Sequence, residues 1–68
     1  MYLPQTVEEI DSYLFGQGLT INDYFVEGEL IGFTKNGRSF DLIIDHDEIH
    51  EACMDRLLSL GVEQRPVS

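Results

Sequence analysis

The sequence has few of the features that mark secreted or membrane proteins. It has one cysteine in 68 residues, so it cannot form the internal disulfides that small secreted domains commonly need. No apolar run approaches the roughly 18 residues that span a bilayer, and the first residues lack a signal-peptide pattern. We therefore expect a cytoplasmic protein with no membrane association.

Basic residues are also scarce. Four Lys and Arg stand against 13 Asp and Glu, which gives a formal net charge of −9 with neutral histidines. A protein that contacts phosphates needs clustered Lys and Arg to release counterions, so this balance argues against direct binding of nucleic acid or anionic membranes. A basic protein is the expected partner. The simpler alternative is that the acidity only keeps a small protein soluble.

The hydrophobic content of 43% is that of a folded chain, and the length predicts one domain over residues 1–68. A domain of this size has little room for a deep catalytic pocket. We expect flexible ends at residues 1–5 and 63–68, since the second of these segments is polar and contains Pro66.

Two helix starts are visible in the first half of the chain. Thr6 and Glu9 match a capping box, which predicts a helix over 7–15 that ends at Gly16 and Gly18. Residues 20–23 offer a second start of the same kind, and we predict a short helix that stops at Gly28. The competing interpretation of residues 20–28 is a strand through Tyr-Phe-Val, three residues that favour strands.

Asn36-Gly37 between two apolar runs is the strongest local signal for a β-hairpin. A two-residue turn predicts the cross-strand pairs Lys35–Arg38, Phe33–Phe40, Ile31–Leu42 and Glu29–Ile44. Helices must cover the apolar face of this hairpin, because an isolated hairpin is not stable in water.

The stretch DHDEIH after the hairpin predicts the start of the last helix. With Asp45 as N-cap, Glu48 completes a capping box, while Ile44 and Ile49 form a hydrophobic staple; Gly61 ends the helix. The predicted fold is a small single α+β domain, ordered helix, short helix, β-hairpin, helix, with the helices packed on one face of the antiparallel hairpin. The predicted core is Val7, Ile10, Leu14, Ile21, Phe25, Ile31, Phe33, Phe40, Leu42, Ile44, Ile49, Cys53, Leu57 and Leu60.

The same stretch raises the question of a metal site. His46, His50 and Cys53 occupy successive turns of the predicted helix, so three donors face one side. The zinc-protease pattern H-E-x-x-H is excluded because Asp47 stands where the glutamate is needed. A structural zinc normally takes four ligands. We therefore favour a helix start with packing histidines, expect no cofactor, and keep a small metal-binding domain as an alternative.

Other chemistry is not indicated. The chain has no phosphate-binding glycine loop, and its serines have no neighbouring histidine pattern, so we do not expect an enzyme. The first two predicted helices could form a DNA-binding helix-turn-helix motif. The second helix, however, would present Asn22, Asp23 and Glu27 to the DNA in place of Arg or Lys, which argues against that motif.

A small acidic protein-binding module is the remaining interpretation. Its carboxylates would imitate phosphates and occupy a basic site of a nucleic-acid-binding protein. In size and charge the chain resembles small acidic phage-encoded inhibitors, including some anti-CRISPR proteins; the likeness covers no motif. The candidate partner-binding residues are Glu8, Asp11, Asp23, Glu27, Glu29, Asp41, Asp47, Glu48, Glu51 and Asp55. The alternative is a homodimer with a structural or regulatory role, formed through the open hairpin edges and the outer-face pair Leu30 and Ile43.

Overall fold

The computed structural model describes residues 6–67, which form two helices and a four-stranded mixed sheet. In chain order the elements are α1 (Val7–Phe15), a 3-10 turn (Ile21–Asp23), β1 (Tyr24–Glu27), β2 (Leu30–Lys35), β3 (Arg38–Asp41), α2 (Asp47–Ser59) and β4 (Glu63–Arg65). The strand order is β3-β2-β1-β4, and only the β1–β4 pair is parallel. The α+β class is confirmed, whereas the predicted order of elements lacked β1 and β4.

Helix α1 has the predicted bounds. The hydroxyl oxygen of Thr6 accepts a hydrogen bond from the backbone N–H of Glu9 at 3.2 Å, which satisfies one of the free amides of the first turn. Of the two predicted glycine stops, only Gly18 adopts a left-handed conformation, at φ 87°, while Gly16 remains right-handed. Val7 is exposed and was wrongly assigned to the core: it shares a helix face with the buried Leu14, but it is the first residue of α1.

Residues 20–28 are a strand preceded by one 3-10 turn, and the predicted short helix is wrong. The helix-start signal is real, since the Thr20 N–H donates to the Asp23 carboxylate at 2.8 Å. The helix does not continue, because β1 pairs with β2 on one edge and with β4 on the other. These ladders give its backbone groups the partners that a helix would have supplied.

The hairpin turn is as predicted. Asn36 and Gly37 both have positive φ, at 54° and 78°. The Lys35–Arg38 and Phe33–Phe40 pairs are confirmed, and the Leu42 N–H donates to the Ile31 carbonyl at 2.8 Å beyond the last strand pair.

The ladder between β2 and β3 ends at Asp41, so the predicted pairing of Glu29 with Ile44 does not form. Phe40 stacks on Phe33, with ring centroids 5.3 Å apart, but remains 44% exposed. Its assignment to the core is therefore wrong, because β3 is an edge strand of the sheet.

Helix α2 starts later than predicted and ends as predicted. Its N-cap is His46 and not Asp45, since Ile44 still packs against the core and the chain needs further extended residues before it turns. At the other end Gly61 has φ 80°, and the Val62 N–H donates to the Leu57 carbonyl at 3.1 Å. This is a Schellman motif, and Leu57 and Val62 are both buried beside it.

The helices pack against one face of the sheet. The core cluster is Ile10, Leu14, Tyr24, Val26, Ile31, Ile49, Cys53, Leu57 and Val62. The predicted core did not include Tyr24, Val26 or Val62, although Tyr24 was expected to face inward. Leu60 is exposed and was wrongly included, because it caps α2 where the chain turns away.

The opposite face of the sheet has its own buried residue. Phe25 is 5% exposed and its ring lies directly over Gly32, where an added Cβ would come within 2.2 Å of it. The Arg65 guanidinium covers the ring at 3.8 Å from the centroid. Residues 63–65 thus form a strand in place of the expected flexible tail. The expectations for residues 1–5 and 68 fall outside the described residues.

None of the helices within residues 6–67 has the length and apolar character needed to cross a membrane.

Candidate functional site

A groove of about 520 Å³ lies between α2 and one end of the sheet. We call it the acidic groove. Helix α2 contributes Asp47, His50, Glu51, Met54 and Leu58 to its lining. The sheet side contributes Val26, Gly28, Glu29 and Gln64. Three carboxylates from two separate segments of the chain therefore share one concave surface.

The topology explains why these carboxylates meet. Gly28 takes a left-handed conformation, at φ 62°, in the tight turn between β1 and β2, and Glu29 follows it. Strand β3 returns to the same end of the sheet, so α2 starts there. Asp47 and Glu51 are four residues apart on α2 and share one face of the helix.

The four basic residues lie elsewhere. Arg56 donates two hydrogen bonds to Asp11, at 2.8 and 3.0 Å, and this ion pair holds the pKa of the Asp11 carboxyl below its usual value. Arg65 pairs with Glu63 and covers Phe25 on the outer face. Among residues 6–67, those that line the groove include no Lys or Arg.

The remaining two cations, Lys35 and Arg38, flank the hairpin turn. That turn lies at the opposite end of β2 from Glu29. The negative charge of the groove is consequently not neutralised by a lysine or arginine of its lining, and its carboxylates remain available to accept hydrogen bonds from an external cation.

The predicted partner-binding residues do not form one surface. Glu29, Asp47 and Glu51 line the acidic groove. Asp11 is engaged by Arg56, and Asp23 caps the 3-10 turn. The others lie outside the groove lining, on α1, the sheet or other faces of α2: Glu8, Glu27, Asp41, Glu48 and Asp55.

The three candidate metal ligands are separated by their surroundings. His46 is exposed before the helix, His50 lines the acidic groove, and Cys53 is 0% exposed in the core. Burial raises the pKa of the Cys53 thiol to about 11, which keeps it neutral and a poor ligand at ordinary pH. Within residues 6–67 no three His, Cys, Asp or Glu side chains group to hold a metal ion.

Met54 and Leu58 are two of the groove residues that sequence reasoning did not assign to a site. They lie one turn apart on α2, and Leu58 is 40% exposed. The signal was present, since these two residues extend the apolar arc of α2 beyond the buried stripe of Ile49, Cys53 and Leu57. The core does not need so wide an apolar arc on α2. The additional apolar residues therefore indicate a second apolar contact.

Comparison of the chain with protein-family models, with curated proteins and with solved structures finds no match.

Proposed function

We propose that this chain is a small acidic protein-binding module whose partner presents a basic surface to the acidic groove. The observation that carries the proposal is the grouping of Glu29, Asp47 and Glu51 in one concave lining whose described residues include no Lys or Arg. Like charges that face each other across a groove repel until a cation enters between them. A basic partner relieves this repulsion, so charge favours its binding.

The finer proposal is that the partner's basic surface is one that otherwise binds nucleic acid, and that the chain inhibits it by occupying that surface. The net charge of −9 on 68 residues supports this, because a polyanion-binding site attracts any dense array of negative charge. A short DNA duplex should then compete with the chain for the captured partner. Simultaneous binding of duplex and chain to that partner would exclude mimicry while leaving the protein-binding role intact.

The test compares two variants of equal net charge. The first is Glu29→Gln, Asp47→Asn and Glu51→Gln, which neutralises the groove. The control is Glu8→Gln, Asp41→Asn and Asp55→Asn, three exposed carboxylates outside its lining. A partner is captured from a lysate of the cells that encode the chain, purified, and titrated against each variant by calorimetry.

We expect the groove variant to lose about tenfold in affinity, because three exposed ion pairs at roughly 0.5 kcal/mol each amount to that factor. The control variant should lose much less. Binding of the wild-type chain should also weaken as salt rises from about 50 to about 500 mM. Equal losses in both variants, or affinity that is independent of salt, would contradict the proposal.

The edge strand β3 supports a second candidate, a homodimer. All four of its residues are exposed, and Phe40 and the nearby Ile43 present apolar side chains beside its free backbone edge. Free edges of this kind pair with a second strand unless they are protected. Light scattering at micromolar concentration should give twice the monomer mass for the wild-type chain and the monomer mass for Phe40→Lys. A monomeric wild-type chain would remove this candidate.

A further inference from the structure

The acidic groove is not only charged; part of its lining is apolar. Met54 and Leu58 face it from α2, and the buried side chain of Val26 faces it from β1. Charge attraction alone requires no such surface. Exposed apolar side chains in a concavity gain free energy when an apolar group of a partner covers them.

The two kinds of surface are arranged in order along α2. Asp47 and Glu51 lie in its first half, while Met54 and Leu58 lie in its second half. The distance from Asp47 to Leu58 along the helix axis is about 16 Å at 1.5 Å per residue. An extended segment of about five residues covers that length.

We propose that the acidic groove binds an extended segment of the partner in which lysine or arginine residues adjoin large aliphatic residues. The inference rests on the proposed function and specifies the chemistry of the partner. The cationic side chains pair with Glu29, Asp47 and Glu51 across the groove, and the aliphatic side chains cover Met54 and Leu58.

The probe is a peptide with blocked ends and the sequence Leu-Leu-Ser-Lys-Lys-Lys-Ser-Leu-Leu. It has leucines both before and after the lysines, so it can bind in either chain direction along the groove. The reference peptide has serine at all four leucine positions and the same charge. Fluorescence anisotropy measures both affinities for the wild-type chain. We expect the leucine peptide to bind at least about tenfold tighter, since burying one aliphatic side chain contributes on the order of the free energy of a tenfold change.

Two protein variants locate the contact. Leu58 and Leu60 are both 40% exposed near the end of α2, but only Leu58 lines the groove. Leu58→Ser should abolish the preference for the leucine peptide, and Leu60→Ser should retain it. Far-UV circular dichroism of both variants establishes that they are folded, and the two peptides test the same contact without altering the protein.

Equal affinities of the two peptides for the wild-type chain would overturn the inference, and so would equal effects of the two leucine variants. A different result would contradict the proposed function itself. If both peptides bind equally and both lose affinity in the groove-neutralised variant, the charge-based function stands and the aliphatic contact is absent. If neither peptide responds to the groove carboxylates, the function itself is contradicted.

Discussion

At the scale of single residues, Tyr24 joins α1 to the sheet. Its hydroxyl donates to the carbonyl of Leu14 in the last turn of α1, and its ring makes an edge contact with Phe15 at 5.6 Å. Tyr24→Phe keeps the ring and leaves that buried carbonyl without its donor. We expect a loss of about 1 to 2 kcal/mol in the free energy of unfolding, measured by urea titration. Tyr13→Phe, at an exposed tyrosine, is the control and should change little.

The buried thiol and phenol give a prediction for alkaline pH. Burial raises the pKa of Cys53 from 9.0 to about 11 and that of Tyr24 from 10.0 to about 12. The folded state therefore holds both protons more tightly than the unfolded state does, and stability falls as pH rises from about 9 to about 12. Urea titrations over this range should show the decline. It should begin later in Cys53→Ala, and an unchanged onset would contradict the assignment to the thiol.

At the scale of secondary-structure elements, the pairing of β1, β2 and β4 depends on the close contact of Phe25 with Gly32. Gly32→Ala places a methyl group against the ring, with Phe25 held beneath Arg65. We expect a cost of about 1 to 3 kcal/mol, the usual range for overpacking. The cost should shrink in a Phe25→Leu background, which a double-mutant cycle measures. An equal cost in both backgrounds would show that the ring is not the obstacle.

The elements also show which signals in the sequence were sufficient. The α1 cap at Thr6, the Asn36-Gly37 turn and the Gly61 stop all depend on neighbouring residues, and all three were predicted. Strand β4 was missed because its polar residues 63–65 acquire their structure from β1, almost forty residues earlier. Residues 24–27 were assigned to a helix for the same reason, since the local start signal extends only to the 3-10 turn.

The sequence offered candidate carboxylates, but it did not predict which of them lie together in the acidic groove. Composition indicated that carboxylates would be the relevant groups, and Glu29, Asp47 and Glu51 were among the candidates. Which carboxylates converge depends on where α2 lies relative to the β1–β2 turn, a tertiary contact that no local pattern encodes. Asp11 illustrates the limit, because its partner Arg56 is 45 residues away.

At the scale of the whole molecule, only part of the positive charge lies far from the acidic groove, because Arg65 pairs with Glu27 at the end of β1 that adjoins the groove. The described residues place Lys35 and Arg38 at the hairpin turn and the acidic groove at the other end. The molecule measures 32 × 23 × 21 Å. The Debye length is about 30 Å at 0.01 M salt and about 8 Å at 0.15 M. At low salt every carboxylate therefore repels carboxylates across the molecule, whereas at physiological salt only near neighbours interact.

Folding brings these charges closer together than they are in the unfolded chain, so their repulsion destabilises the folded state. Raising salt from about 0.01 to about 0.15 M should thus stabilise the domain by on the order of 1 kcal/mol, which shifts Tm upward by about 4 to 8 °C in a chain of this size. Scanning calorimetry of the wild-type chain and of the two charge-neutralised variants measures the effect, and the Tm of both variants should rise less with salt.

A Tm that falls with salt would mean that the Asp11–Arg56 and Glu63–Arg65 pairs, which salt weakens, outweigh the net charge of −9. The groove would then be a minor part of the molecule's electrostatics, and attraction of a basic partner would need another source.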